Sequence, residues 1–582
     1  MRLLFLLSTL LISLAASAQA YDHNWLLGYG PTVPGYDWQG TTMMNFAENK
    51  TAIERAPVFD MDFTSTKLSM SDTAGNYQFC FNGYVLKNEE NQIFDGGEML
   101  IDGPDPIGGT TNSQGAVAVP RPGHQGQFYL FYNNDFTYTT VPTSTYIATE
   151  FHCALIDVTS NGGEVVETHL LLNDTIATGK LSAVKHANGL DWWIPVTSAF
   201  NNEIYIYLAT SDGVELSHSY TSADDFREGV GQASFSPDGG TYVIQNGHTT
   251  VTGHFTHIFD FDRCTGTLSG QQTINVVEVL YATGAAISPN SRFLYVATTS
   301  HVYQYDLWAD DLEASRVLIG EYDGYEAPFP TYPFQCQLAP DGKIYMSSIN
   351  AVGVLHVVHR PDLPYPDCRF EQHGVLLPTY NSYALPNFPN YRLGPLDGSP
   401  CDTLGIDNLP LADFRYYPDT LDLLAVEFDD LSYYEPTEWL WDFGDGSTAT
   451  TPDLVHTYAG EGTYEACLTA SNANGSHTRC RTLYLGTTTT DERTDTANGW
   501  RIHPNPATDH VTVSPPQPLR GPATLHLYDA LGRPAAAHPL APGYDRYRLP
   551  LGGLPGGVYA YRITDRDGRR IGGGKLLVLS GH

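Results

Sequence analysis

Three segments of the chain repeat one alternation of apolar and polar positions. They are "ASFSPDGGTYVIQN" from Ala233, "AAISPNSRFLYVATTSHVYQYDL" from Ala285 and "CQLAPDGKIYMSSINAVGVLHVV" from Cys336. Each reads as an apolar strand, a Ser/Ala-Pro-Asp/Asn turn and a strand of alternating aromatic and β-branched residues. Proline fixes φ at the first central position of such a turn, and Asp, Asn and Gly suit the positions after it. The starts lie about 50 residues apart, the length of one four-stranded propeller blade. Weaker copies begin at Asn76, Gly115 and Leu181, so six units are visible between residues 58 and 380. "MMNFAENKTAIERA" from Met43 would complete a seventh. Closing the ring with strands from both ends removes exposed sheet edges. Seven blades are expected over residues 40–395, with six as the alternative.

The pattern changes after Gly394. Residues 396–410 are rich in Gly, Pro and Asp and read as a linker. Residues 411–486 hold several alternating strands with turns at short intervals, the signature of a β-sandwich. Residues 487–499 are polar, lack an apolar stripe and read as a flexible linker. From Trp500 to His582 alternation returns in "HVTVS", "TLHLYD", "VYAYRIT" and "KLLVL". The expected fold class is therefore all-β throughout: a β-propeller and two β-sandwiches.

Composition sharpens this. A chain of 582 residues exceeds one ordinary core. It carries 30 Lys and Arg against 65 Asp and Glu, net −35. Nucleic acid as a partner is excluded, because its binding needs cations to displace counterions. From Trp500 onward there are ten Lys and Arg against five acidic residues, net +5, which leaves 20 against 60 in the rest. So sharp a sign change marks a separate module.

The first twenty residues, "MRLLFLLSTLLISLAASAQA", hold one Arg, an apolar run too short to span a bilayer, and Ala-x-Ala sites. They read as a signal peptide, residues 1–20, cleaved after Ala20 or, as second choice, after Ala18. No later segment has the length and polarity of a transmembrane helix, and export permits disulfides among the eight cysteines.

"WLWDFGDGST", from Trp439, looks at first like a site. It lacks the Lys of a phosphate loop, the residue order of a helical Ca2+ loop, and the separation of an acid/base pair. Trp441, Asp442, Phe443, Gly444, Asp445 and Gly446, followed by "VHTYAGEGTYEACLTASN", resemble a PKD domain, an immunoglobulin-like sandwich. The resemblance implies that Trp441 and Phe443 enter the core while Asp442 and Asp445 bind turn amides; a bound Ca2+ stays open, and no other cofactor or metal is expected. Cys467 and Cys480 flank "SNANGS" and face each other if the hairpin centres between Ala473 and Asn474, which gives a disulfide.

The last module resembles the type A C-terminal sorting domain of the type IX secretion system. The carriers are "HPNPATDHVTV" with Pro504, Asn505 and Pro506, "LYDALGR", "LPGGVYAYRI" with Gly556 and Tyr559, and "GGGKLLVL" with Lys575. That implies export across the outer membrane by this machinery, followed by surface attachment or release. The propeller region, through "FDFDRCTGTLSG", "SPNSRFLYV", "LAPDGKIYM" and "DCRFEQHGVLL", resembles ectodomains of exported Bacteroidetes proteins that carry PKD domains.

No linear catalytic constellation emerges. There is no His-Glu-x-x-His and no Gly-x-Ser-x-Gly. His356 and His359 fall on opposite faces of a strand. Asp60, Asp62, Asp260 and Asp262 read as turn caps, and "DWWIP" and the tyrosines as blade-interface filling or a glycan-stacking surface. The expected function is a secreted or cell-surface binding or adhesion protein that presents a glycan- or protein-binding surface. The alternative is an extracellular propeller enzyme acting on polysaccharide, a lyase, glycosidase or lactonase-like hydrolase.

Overall fold

The computed structural model describes residues 19–578 apart from 31–37, 57–60, 99, 102–107, 135–136, 140–144, 161, 225–229, 248–253, 277–282, 420–423, 486–493, 496–499, 504–506, 508–509, 516–518, 520, 530–532, 543–546, 552–553, 556 and 567–568. Among the described residues every named element is a β-strand, and no helix is long and apolar enough to cross a membrane. The chain divides into two compact units, Met1–Leu485 and Gly486–His582.

In the first unit, seven antiparallel sheets follow one another in chain order among the described residues. Their first strands are Asn24–Tyr29, Leu68–Ser71, Ala116–Pro120, Val184–Lys185, Gly231–Phe235, Gly284–Ile287 and Pro333–Leu338. Most of these first strands touch the first strand of the next sheet, so they line a common axis, as in a propeller. Both faces of these strands are covered: Ala116 to Val119 form an apolar run that is all buried, and polar residues in the others, such as Ser69, Ser71 and Gln232, are buried too.

The N-terminal end departs from the sequence reading. Asn24–Tyr29, ahead of residue 40, pairs with Gly40–Asn45, which pairs with Ala52–Arg55. "MMNFAENKTAIERA" thus helps build a sheet of its own. The ends of the ring meet by contact instead of sharing a sheet. Phe370–Asn381, the last strand of the seventh sheet, lies against all three N-terminal strands, with Thr42 Oγ1 and Thr379 Oγ1 2.7 Å apart.

Residues 411–485 form the sandwich. One sheet joins Phe414–Pro418, Ala425–Asp430 and Leu454–Thr457; the other joins Thr448–Ala449, Glu438–Asp442, Gly462–Asn472 and Gly475–Leu485. Trp441, Phe443, Phe414, Phe428, Leu468 and Leu483 fill the space between them. This sandwich is bolted to the N-terminal sheet. Arg415 donates to Phe46 O (2.8 Å) and Asn49 O (2.6 Å), and Asn49 bonds both backbone groups of Tyr416.

The supposed linker 396–410 is anchored as well. Cys401 forms a disulfide with Cys264 in a hairpin turn of the fifth sheet, with Cα atoms 5.6 Å apart. Leu396 N donates to Ala187 O at 2.8 Å, and Asn408 is buried.

The second unit is also a sandwich. Thr494–Asp495, Trp500–His503, His510–Ser514 and Tyr547–Pro550 form one sheet; Pro534–Leu540, Ala523–Tyr528, Gly557–Asp565 and Arg570–Val578 form the other. Residues 494–495, expected in a linker, are a strand paired with Trp500 and Arg501; the rest of 487–499 lies outside the described residues. The "RIGGGK" run has a packing reason. A Cβ at Gly572 would meet the Trp500 ring at 2.7 Å, and one at Gly574 would meet the Tyr561 hydroxyl at 2.8 Å. The glycines let two aromatic rings lie flat in the core.

Candidate functional site

The propeller axis is occupied by the chain itself. After the seventh sheet, residues 382–394 run among the first strands of several sheets. Lys67 Nζ holds the entry by donating to Asn381 Oδ1 (2.6 Å), Ser382 O (2.6 Å) and Ala384 O (2.8 Å). Burial pushes this ammonium well below the usual lysine value, with Asp62 opposing. Asn387 donates to Ala116 O and Leu181 O, each at 2.9 Å, and accepts from Gln114 Nε2 at 3.1 Å. Gln114 also pairs with both backbone groups of Ala233, and Gln232 with both of Cys336. These amides satisfy strand groups that would otherwise be buried without partners. Farther along, Tyr391 donates to Ala118 O at 2.8 Å.

Where this segment emerges, a cleft of about 530 Å3 opens between the propeller and the sandwich. The three repeated turns supply its floor: Pro237 and Asp238, Pro289 to Ser291, and Ala339, Pro340 and Gly342. Each is closed by an i to i+3 bond, from Gly239 N to Ser236 O, Ser291 N to Ser288 O, and Gly342 N to Ala339 O, at 2.8–3.0 Å. The sandwich loop Leu431–Glu435 forms the opposite wall. Tyr434 and Glu435 there adopt φ of +64° and +53°, an uncommon conformation for residues with side chains.

Two arginines brace the cleft. Arg392 forms a two-pronged ion pair with Asp22 and lies 4.8 Å from the Tyr433 ring centre. Burial opposes its charge, but Asp22 and then Tyr433 outweigh burial and raise its pKa. Arg263 donates to Lys185 O at 3.0 Å, to Asp238 O at 3.5 Å and to Gly394 O. Burial lowers it to about 10, with Glu435 and Asp238 opposing. Both cations are therefore structural; the remaining lining combines several leucines and prolines with Phe388, Tyr433, Tyr434, Asn290, Asn390 and Glu435. Asn408, 1 % exposed, lines the cleft with an Oδ1 that has no hydrogen-bond partner.

The residues singled out in the sequence lie elsewhere. Trp441 and Phe443 are buried, and Trp441 Nε1 donates to Thr451 O at 2.9 Å. Gly444 N donates to Asp442 Oδ1 and Ser447 N to Asp445 Oδ1, both at 2.9 Å. His456 adds a partner that the motif did not announce: its Nε2 is 2.8 Å from Asp445 Oδ2, and its ring stacks on Phe443 at 4.1 Å. Slight burial would raise the Asp445 pKa, but the Ser447 and His456 hydrogen bonds hold it at about 2. Gly444 has φ +74°, and a Cβ there would meet Glu465 O at 2.7 Å, whereas Gly446, at φ +91°, faces open space.

Cys467 and Cys480 stand directly opposite in register and form a disulfide, with Cα atoms 4.0 Å apart. The remaining described cysteines, Cys80, Cys153, Cys336 and Cys368, are buried thiols. Trp192 and Trp193 are 1 % and 3 % exposed, so "DWWIP" is blade filling. Asp262 caps a turn through Cys264 N (2.8 Å), whereas Asp62 accepts from the distant Gly30 N (2.7 Å), and Asp60 lies outside the described residues. His356 is buried with its Nε2 2.9 Å from Thr331 O, and His359 bonds Glu371 at 2.8 Å. Among the described residues no group of three His, Cys, Asp or Glu side chains is placed to hold a metal ion. In the last module Tyr559 is buried and donates to Pro555 O at 2.8 Å, and Lys575 is exposed. Pro504, Asn505, Pro506, Gly556 and residues 1–18 of the expected signal peptide 1–20 lie outside the described residues.

Sequence reading missed the cleft because its walls come from eight separated stretches of the chain, from Asp22 to Glu435. The signal available was the repeated Ser/Ala-Pro-Asp/Asn turn, since equivalent turns of successive blades must share one face.

Comparison with known families agrees with the two C-terminal modules. Residues 419–486 match the PKD domain, and residues 501–574 match the secretion system C-terminal sorting domain of the type IX pathway. Among solved structures, the PKD1 domain of Vibrio anguillarum Epp is 25 % identical, spanning 14 % of this chain and 95 % of that one, with a TM-score of 0.13. A Bacteroides uniformis protein described provisionally as a 6-phosphogluconolactonase is 11 % identical over 62 % of this chain and 98 % of its own, with a TM-score of 0.38. Neither likeness carries an argument here, and the propeller assignment rests on the sheet topology. None of the curated proteins matches the chain. The chain thus carries a PKD domain and a type IX sorting domain, which support an exported protein of the outer surface or medium.

Proposed function

We propose that this is a secreted or cell-surface binding protein whose ligand, a glycan or a protein, sits in the cleft between the propeller turns and the Leu431–Glu435 loop. The observation that carries this reading is the cleft itself. Its volume of about 530 Å3 falls in the usual range for ligand sites, roughly 300–1,000 Å3. Its lining mixes leucines, prolines and tyrosine rings with amides and carboxylates, a combination that suits a ligand with both apolar faces and polar edges, such as a sugar or a peptide. The filled axis supports binding over channel-mouth catalysis, because Asn387 and Tyr391 already hold the backbone groups that such a pocket would present. Signal-peptide removal and type IX export would deliver the protein, either attached to the surface or released. The test is a screen of the full mature chain against immobilised glycans and extracellular proteins. A ligand whose binding survives Tyr434→Ala unchanged would speak against the cleft.

A further inference from the structure

We propose that the propeller face opposite the cleft binds a Lys- or Arg-bearing segment of an extracellular protein, on an acidic aromatic platform built by Tyr325, Phe329 and Tyr383. Strand direction separates this platform from the cleft. Pro333–Leu338 runs from the loop 322–332 to the turn that Gly342 N and Ala339 O close on the cleft floor. Loop and cleft therefore lie at opposite ends of one six-residue strand, roughly 20 Å apart.

Tyr325 is 44 % exposed, Phe329 53 % and Tyr383 39 %. A braced backbone holds these rings out of the core. Tyr325 O accepts from Thr331 N at 3.2 Å, from Thr331 Oγ1 at 3.1 Å and from the Tyr322 hydroxyl at 3.1 Å. Gly353 N donates to Ala327 O at 3.1 Å, and Asn350 Nδ2 to Pro330 O at 2.6 Å. Ser347 Oγ donates to Tyr383 O, and Tyr383 has φ +55°. The His373 ring meets Tyr325 edge-on, with ring centres 4.3 Å apart. A surface ordered in this way loses little freedom on binding.

Charge selects the occupant. Residues 317–338, 344–358 and 370–384 build this edge of the propeller; they hold Glu321, Asp323, Glu326 and Glu371 but no Lys or Arg. Glu321 and Glu326 are exposed. Asp323 Oδ2 lies 3.0 Å from His373 Nε2. Burial lowers the His373 pKa, with Asp323 and then Glu371 opposing, so the ring is neutral at pH 7 and leaves the carboxylate charge uncancelled. Burial, then Tyr332, Glu326 and Asp323, raise the Tyr322 pKa, which places both carboxylates beside the rings. Aromatic faces attract ammonium and guanidinium groups, and carboxylates accept their hydrogen bonds. The rings also cover the aliphatic stems of Lys and Arg.

The test titrates the full mature chain with a peptide of Lys-Gly repeats at about 0.15 M salt. Tyr325→Ala and Phe329→Ala leave the net charge unchanged and are each expected to weaken binding about fivefold. Tyr325→Phe keeps the ring and should bind normally. Glu326→Gln should weaken binding about threefold. Glu215→Gln makes the same change of charge at an exposed position of strand Gly213–Thr221 and should leave binding unchanged. A peptide that does not bind, or whose binding survives Tyr325→Ala, Phe329→Ala and Glu326→Gln unchanged, would overturn the proposal. Equal losses with Glu326→Gln and Glu215→Gln would reveal diffuse attraction to an acidic chain and overturn it too. Loss with Tyr434→Ala in place of Phe329→Ala would move the peptide to the cleft and remove the second surface. Preference for cellohexaose or a glucosamine hexamer, abolished by Phe329→Ala, would assign the rings to a glycan and also overturn the proposal.

Discussion

Arg392 and Asp22 are joined by a two-pronged ion pair across 370 residues of sequence, with Nη1 to Oδ2 at 2.9 Å and Nη2 bonded to Oδ1. Asp22 belongs to the N-terminal segment, Arg392 to the segment that leaves the propeller axis, and Tyr433 of the sandwich closes over the guanidinium. One buried contact therefore ties three parts of the first unit together at the edge of the cleft.

Breaking that pair should cost more than removing it. Asp22→Ala leaves Arg392 buried and uncompensated, with an expected loss of about 3–5 kcal/mol. Asp22→Ala with Arg392→Met should recover part of that loss. Denaturant midpoints of the single and double variants check this; equal losses in both would show that the charges are not coupled.

Acidification from pH 7 to 4 should strengthen the junction between propeller and sandwich. Burial raises Asp362 and Asp430 to about 6, and burial followed by Glu427 and Asp453 raises Asp429 to about 6. Arg360 and Lys343 oppose the rise at Asp429. Each group binds its proton more tightly folded than unfolded, so its contribution is fully present below pH about 4 and is lost as pH rises through about 6. Thermal melting across this range should show the rise, and Asp430→Asn should flatten it. Asp445 runs the other way. Held at about 2, it contributes above pH about 4 and its contribution is lost as pH falls through about 2.

The two disulfides differ in what they restrain. Cys467 and Cys480 are 13 residues apart and Cys264 and Cys401 are 137 apart; loop-closure entropy assigns them about 3 and about 5 kcal/mol. Cys264→Ser with Cys401→Ser should also expose residues 396–406 to proteases. Cutting confined to other segments would count against the anchored role of this stretch.

If the proposed signal peptide is removed, the contacts of Gln19 and Ala20 favour the second-choice cleavage after Ala18 over cleavage after Ala20. Gln19 Oε1 accepts from Lys185 Nζ at 2.7 Å, and Ala20 N donates to Thr73 O at 3.2 Å. Burial, then Arg263 and Arg392, lower Lys185 to about 7, so removing Gln19 would take away a needed acceptor. Cleavage after Ala18 keeps these contacts and cleavage after Ala20 removes them. Mass spectrometry of the exported protein distinguishes the two, and a chain starting at Tyr21 would contradict this expectation.

Local patterns were legible in the sequence, and long-range assembly was not. Period-two alternation and the Pro-Asp/Asn turns are encoded within a dozen residues, so the strands after Ala233, Ala285 and Cys336 could be read directly. "WDFGDG" was legible for the same reason: Gly444 and the Asp445 bonds act within one turn, although His456 enters from the neighbouring sheet. Nothing local distinguishes "ALPNFPNYRLG" from a surface loop. Its burial depends on Gln114, Ala116 and Leu181, more than 200 residues away. The docked sandwich and the Cys264–Cys401 bridge are of the same kind.

The central claim places the ligand in the cleft beneath Tyr433 and Tyr434. The most direct measurement compares the intact mature chain with its Tyr434→Ala variant on one array of glycans and extracellular proteins, at matched thermal stability. At least one ligand should bind the intact chain and lose tenfold or more in affinity with the variant. Identical binding profiles for the two proteins would contradict the account.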